Sequence, residues 1–288
     1  MDICFVILHY MAFEMTRKSV DTLLALFGGK NVHIAVVDNG SANGSGAKLK
    51  EQYADNKYIT ILMNKVNIGF AKGNNVGYKY VKERFNPKYV VVMNNDVLIK
   101  DRLFIEKIQQ IDEKYEFAVL GPDIVNPYYG IHQNPLRIKP ITVQAVKMRI
   151  KLYTLRSKYP LVCYSWLVLR NTIFGVHRIN KTIREYAEPH CDVVLNGACL
   201  IFSNRFIEKR EDCFNPLTFL YSEEHILYYE CMNMDLKIVY SPEIYVEHYE
   251  HISTDASFES DYKKYIIKNK WWKESAMALL AVLEQRGG

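Results

Sequence analysis

Three groups of residues in this 288-residue chain are of types that can do chemistry. Asn94-Asn95-Asp96 closes an apolar run, and Asp96 supplies a hard oxygen ligand suited to Mg²⁺ or Mn²⁺. Mg²⁺ characteristically takes one or two carboxylates and fills its shell with water and substrate phosphates. Asn95, beside it, can orient a ribose or a water. Glu223-Glu224 follows Phe219-Leu220-Tyr221-Ser222 and opens a helical pattern through Ile226, Leu227 and Tyr229. A carboxylate presented by a rigid helix end can serve as a general base. The plainer alternative is that acidic residues favour the positive end of a helix. His248 closes the apolar run Ile244–Val246, with His251 and Ser253 just beyond. A histidine there can ligate a metal or contact a phosphate, although a lone one is more often surface or satisfied core.

These residues need elements to hold them. Ile3–Leu8, Val32–Val37, Tyr58–Met63, Tyr89–Met93 and Phe117–Leu120 read as buried strands. Between them Thr16–Phe27, Ser45–Tyr53, Lys72–Arg84 and Asp101–Lys114 carry helical spacing, the last with Leu103, Phe104, Ile108 and Ile111 inward. Alternating βα order with continuous apolar strands predicts an α/β fold, a mostly parallel sheet with helices on both faces. Ligands of such sheets bind beyond the carboxyl ends of the strands. His9-Tyr10, Asp38-Asn39-Gly40-Ser41, Asn67-Ile68-Gly69 and Asn94-Asn95-Asp96 all fall at those ends. Any one of them is an ordinary turn sequence; four together point to one crevice. There is no GxGxxG after the first strand and no GxxxxGK[ST], so dehydrogenase and P-loop chemistry fit poorly.

Charge is segregated along the chain. Residues 124–184 hold 11 basic residues and no acidic one, whereas residues 185–255 hold 14 acidic and 4 basic. The first block should attract anions, and the second can hold cations or do acid/base work. Hydrophobic residues at 49% and charged ones at 24% exclude a disordered or fibrous chain. Six cysteines without CxxC spacing read as reduced cytosolic thiols rather than staples or a zinc site. The apolar start lacks a basic leader, and the run from Ala276 to Leu283 is far short of the roughly 20 residues of a membrane span. The expectation is a cytoplasmic protein, either soluble or peripheral at the inner face of the membrane.

The motifs together resemble the family 2 glycosyltransferases, and among them the rhamnosyltransferase-like members that build bacterial surface polysaccharides. The resemblance is carried by Val36-Val37-Asp38-Asn39-Gly40-Ser41, Asn67 to Gly77, Met93-Asn94-Asn95-Asp96-Val97, Asn196 to Ile201, Phe219 to Glu224, and His248 with Ser253. It covers most of residues 1–255. It implies a GT-A fold, a nucleotide-sugar donor, a divalent metal (Mg²⁺ or Mn²⁺) and inversion at the anomeric carbon. Asp38 then corresponds to the residue that reads the base, and His9, Asn67, Gly69, Lys72, Asn75 and Asn95 fall in the nucleotide pocket. Asp96 is the retained carboxylate of the metal motif, and His248 a metal or diphosphate contact. Glu224 takes the place of the catalytic base, with Glu223 as the other candidate. Gly197, Ala198 and Tyr221 fall on the acceptor side.

The implied organisation is a GT-A domain over 1–255 and a helical tail over 256–288. Within the domain, 1–123 is the nucleotide half, 124–184 a basic acceptor-side insertion and 185–255 the catalytic half. The implied partners are a UDP- or dTDP-sugar, with dTDP-rhamnose or a UDP-hexose as donor. The acceptor is a saccharide, free or polyprenyl-linked, in capsule, O-antigen or cell-wall synthesis. In 124–184, Lys139, Lys147, Arg149, Lys151, Arg156 and Lys158 interleave with apolar residues, which suits an anionic membrane or a lipid-linked pyrophosphate. A homo-oligomer interface or a plain helical hairpin is the alternative there. A catalytically inactive carbohydrate-binding relative is disfavoured by the presence of both Asp96 and Glu223-Glu224. A nucleic-acid binder would use the same basic stretch, but no nucleic-acid motif accompanies it, and the acidic block would repel phosphate.

Overall fold

The computed structural model describes residues 1–174, 184–249 and 260–285. Its strands are β1 (Ile3–His9), β2 (Val32–Asp38), β3 (Ile59–Met63), β4 (Tyr89–Asn94), β5 (Val97–Leu98), β6 (Val119–Asn126), β7 (Ile131–His132), β8 (His190–Cys191), β9 (Cys199–Ser203) and β10 (Ile238–His248). Its helices are α1 (Phe13–Phe27), α2 (Ser45–Gln52), α3 (Phe70–Phe85), α4 (Phe104–Tyr115), α5 (Val143–Lys158), α6 (Pro160–Phe174), α7 (Asn204–Ile207), α8 (Glu223–Asn233) and α9 (Asp261–Glu284).

One sheet runs in the order β3-β2-β1-β4-β9-β6-β10-β5. β3, β2, β1 and β4 are parallel, and β6 pairs parallel with β10. β9 is inserted antiparallel between β4 and β6. The mostly parallel sheet expected from the apolar runs is therefore present, with one reversed strand near its middle. Successive residues of β1 serve opposite faces, as the period of two requires. Cys4 and Val6 join Tyr78, Phe202, Phe206, Ile226 and Leu279 on one side. Ile3, Phe5 and Ile7 join Val20, Phe27, Phe104 and Ile108 on the other.

The chain reverses its direction of sheet growth between β1 and β4, which lie side by side. That switch point opens a crevice at the carboxyl ends of the strands. The helix expected over 101–114 starts later, at Phe104. Asp101 accepts a hydrogen bond from the Leu103 N–H at 2.8 Å, forming a turn, and Leu103 is exposed rather than inward. The C-terminal α9, expected as an appended tail, packs on α5 and α8 and puts Ala276, Leu279, Val282 and Leu283 into the main core. Among the described residues no helix is long and apolar enough to cross a membrane.

Candidate active site

Two cavities adjoin at the strand ends and share Phe70, Asn94 and Leu220. The first, about 370 Å³, is lined by Leu8 at the end of β1 and Tyr10 after it, Asn39 after β2, Asn67 and Gly69 before α3, and Asn95-Asp96 after β4. Ile267 and Trp271 of α9 form its outer wall. Asn39 fixes the loop beneath it. Its Nδ2 donates to Asn67 Oδ1 and the Gly69 carbonyl, and its Oδ1 accepts from the Ile68 N–H and Asn64. Gly69 sits at φ +88°, and a Cβ there would lie 2.5 Å from the Phe219 carbonyl, so no other residue fits. The Phe70 N–H donates to that same carbonyl at 2.7 Å, which ties the head of α3 to the segment before α8.

Strand pairing builds the next part. β5 runs antiparallel to the end of β10, with His248 opposite Val97. The Tyr249 N–H donates to the Asp96 carbonyl at 2.9 Å. Residues far apart in sequence thus meet: His248 Nε2 lies 3.3 Å from Asp96 Oδ1, and both side chains are buried. His248 Nδ1 is 2.8 Å from Gln133 Oε1, an acceptor, so Nδ1 carries a proton and donates. Nε2 faces Asp96 Oδ1, which has no hydrogen-bond partner. A buried carboxylate oxygen without a partner, beside an imidazole nitrogen, is a donor set that suits Mn²⁺ or Mg²⁺. Among the described residues no cluster of three or more His, Cys, Asp or Glu is placed to hold a metal, so this pair would leave most of the shell to water and substrate.

The second cavity, about 500 Å³, is lined by Asn196-Gly197-Ala198, Tyr221 to His225, His248, Arg149 and Tyr153 of α5, and Trp272, Ala276 and Leu279 of α9. Tyr221 (φ +77°) and Ser222 (φ +69°) are both left-handed, and neither is glycine. Each such residue costs about 1–3 kcal/mol, and strain of this kind clusters at functional sites. Here it turns the chain so that Glu223 and Glu224 head α8. Ser275 of α9 steadies the turn by donating to the Leu220 carbonyl at 2.7 Å. Phe219 stacks on Trp271, and Tyr221 packs on Trp272.

Burial, then the neighbouring Glu224, pushes the Glu223 carboxyl up to about 8, and its Oε1 has no partner. Burial also raises Glu224, opposed by its hydrogen bond from the Gly197 backbone. A Cβ on Gly197 would come 3.1 Å from Glu224 Oε1, so the glycine leaves room for that carboxylate. The two acids titrate as a pair. His225 beside them is held neutral: burial, then Arg149 and Arg137, lowers its ring to about 4, and its Nδ1 is unpartnered.

Asn67, Gly69, Asn95, Asp96, Gly197, Ala198, Tyr221, Glu223, Glu224 and His248 all line this double cavity. Four other expected site residues do not line it. His9 is fully buried, with its ring nitrogens 2.7 Å from Thr16 Oγ1 and 2.8 Å from Ser45 Oγ. Burial pushes its ring down to about 4. Asp38 is buried, accepts from the Ser41 N–H, and lies 3.8 Å from His9. Asn75 is spent on residues of the catalytic half, donating to the Phe214 carbonyl and accepting from the Phe214 N–H. Lys72 is exposed on α3, outside the lining. Ser253, expected to act with His248, and His251 lie outside the described residues.

Gln133, Arg149, Trp271 and Trp272 are site residues that the motifs did not reveal. Gln133 and Arg149 fall in the stretch that resembles the family least, and of the four only Arg149 stood out, as one of the interleaved basic residues.

The model of the family described as Glycosyl transferase family 2 matches residues 4–178, more than half of the chain. The chain belongs to that family. Its fold is shared by solved glycosyltransferases of low identity. TarS of S. aureus (residues 1–349, with UDP-GlcNAc) aligns at 13% identity and TM-score 0.54, over 98% of this chain and 71% of that one. The mannosyltransferase PcManGT of Pyrobaculum calidifontis, in complex with GDP-Man and Mn²⁺, aligns at 12% identity and TM-score 0.56, over 99% and 76%. No curated protein matches the sequence significantly. The chain is thus a glycosyltransferase of GT-A fold.

Proposed function

We propose that this glycosyltransferase moves a sugar, with inversion, from a UDP- or dTDP-sugar to a saccharide hydroxyl in surface-polysaccharide synthesis. dTDP-rhamnose and UDP-hexoses are the leading donors. The carrying observation is the juxtaposition of Asp96 and His248 with Glu223-Glu224 where two cavities join. The donor nucleotide occupies the cavity between Tyr10, Asn39, Asn67 and Trp271. The acceptor enters between Arg149, Tyr221 and Trp272.

In this reading the acceptor oxygen forms its bond to the anomeric carbon as the bond to the diphosphate breaks. Glu224 takes the hydroxyl proton as that oxygen attacks. Gly197 holds the Glu224 carboxylate through its N–H, which favours Glu224 over Glu223 as the base. Asp96 and His248 are the residues that would hold Mn²⁺ or Mg²⁺, with Gln133 fixing the imidazole. Such a cation neutralises charge on the departing diphosphate. Aromatic walls from α9 keep bulk water off the anomeric carbon, which strengthens every charge interaction inside.

Thermal shift with UDP-, dTDP- and GDP-sugars plus Mn²⁺ tests the donor reading, because a bound ligand stabilises by mass action. A rise confined to UDP- or dTDP-sugars and dependent on Mn²⁺ is expected. A rise with GDP-sugars alone contradicts it.

A further inference from the structure

The basic stretch contains one element that the sugar-transfer reading leaves unused. α5 packs one side on α9, with Tyr153 stacked on Trp272 and Val146 fully buried, and leaves Met148, Leu152 and Leu155 exposed. α6 has no such partner. Its 15 residues, PLVCYSWLVLRNTIF, carry a single charge, Arg170. Among its described side chains only Pro160, Cys163, Tyr164 and Leu167, spaced as one helical face, are half-buried, with Tyr164 against Tyr262 and Tyr265 of α9. Leu161, Val162, Trp166, Val168, Leu169 and Ile173 are exposed, at 46–69%. A helix apolar on nearly every side belongs in a core or a membrane. At 15 residues α6 is too short to span a bilayer, but not to lie in its surface.

Charge decides what covers it. Lys151, Arg156 and Lys158 flank α6 on α5 and have no carboxylate in ion-pair range among the described residues. A second copy docked here by a two-fold axis would bring two sets of these cations into one interface, and α5 and α6 offer no carboxylate to offset them. An anionic surface would neutralise them.

We propose that α6, with the cations at the end of α5, is a docking surface for an anionic lipid bilayer. The helix lies in the headgroup plane, burying Leu161, Trp166 and Leu169 while Lys151 and Lys158 meet the headgroups. Arg149 and Tyr153 on the same α5 line the acceptor cavity, so docking sets that cavity beside the membrane.

Flotation of the full chain with phosphatidylcholine vesicles, with and without phosphatidylglycerol, tests this, and it needs no transfer activity. The wild type should float with the anionic vesicles and stay down with pure phosphatidylcholine. The triple variant Leu161→Ser, Trp166→Ser, Leu169→Ser should stay down in both, with an unchanged melting temperature. Lys151→Ala and Lys158→Ala should each weaken partitioning about five-fold. Equal flotation on both lipids, no flotation of the wild type, or flotation unaffected by the triple variant overturns the proposal. So does a two-chain mass in light scattering that the triple variant halves, because the occupant is then a second copy.

Discussion

The two halves of the site use the same residue types in opposite ways. At the ends of β1 and β2, His9, Asp38 and Asn39 are bonded to one another's loops, and Asn75 of α3 is bonded across to Phe214. At the ends of β4 and β10 and the head of α8, Asp96 Oδ1, Glu223 Oε1 and His225 Nδ1 are buried without partners. A buried polar atom normally finds a hydrogen bond, and one left without costs about 1–3 kcal/mol. Apart from Asn74 Oδ1 on α3, which is also unpartnered, the bonded residues shape the crevice in this structure, and under the proposed function the unpartnered groups of β4, β10 and α8 are the ones that meet substrate or a cation. A conspicuous motif does not by itself tell the two apart; the state of its hydrogen bonds does.

That contrast predicts a graded set of effects on turnover. Asp96→Asn should cost the most on the cation side, about 10³-fold, because several kcal/mol of leaving-group stabilisation go with it. Initial rates against Mn²⁺ concentration measure it, and a variant with wild-type rate and metal dependence breaks the assignment. Gly197→Ala should cost up to about 10²-fold, since the new methyl displaces Glu224 from its hydrogen bond. Its donor affinity should be unchanged, which calorimetry would show.

Glu223→Gln should act on stability more than on rate. A carboxyl raised to about 8 by burial keeps its proton in the folded state and loses it near 4.5 in the unfolded chain. Between those values the folded state binds more protons, so wild-type stability falls as pH rises from about 5 to 8. The glutamine variant should flatten that slope in melts at several pH values, and an unchanged slope would show that Glu223 is not protonated. Asn75→Ala, on the satisfied side, should cost about 1–3 kcal/mol in denaturant unfolding and leave donor affinity alone. A large loss of donor affinity in that variant would erase the distinction between the halves.

Much of the nucleotide half was legible because parallel strands buried on both faces are continuous apolar runs, and their polar ends are sharp. Ile3 to Val37 reads off almost residue by residue, and so does the helix at Glu223. The pairing of Asp96 with His248 was implied by the family resemblance but not by residue spacing, because it depends on β5 joining β10 beyond the bulge between Ser241 and Tyr245. The role of Gln133, which sits in the stretch with no motif, was not legible. The α9 wall was hidden for another reason: an apolar and basic helix gives no sign of which neighbour it covers. The roles expected of His9, Asp38 and Asn75 came from motif position alone, and motif position does not show where a side chain's hydrogen bonds go.

The proposed sugar transfer depends most directly on Glu224 taking the acceptor proton. Transfer from the donor chosen by the thermal-shift panel should be measured for wild type and Glu224→Gln at saturating Mn²⁺, with donor binding measured in parallel. Unchanged donor binding and a turnover lower by about 10²–10⁴-fold are expected for the glutamine variant. A glutamine variant that turns over at the wild-type rate would contradict that role.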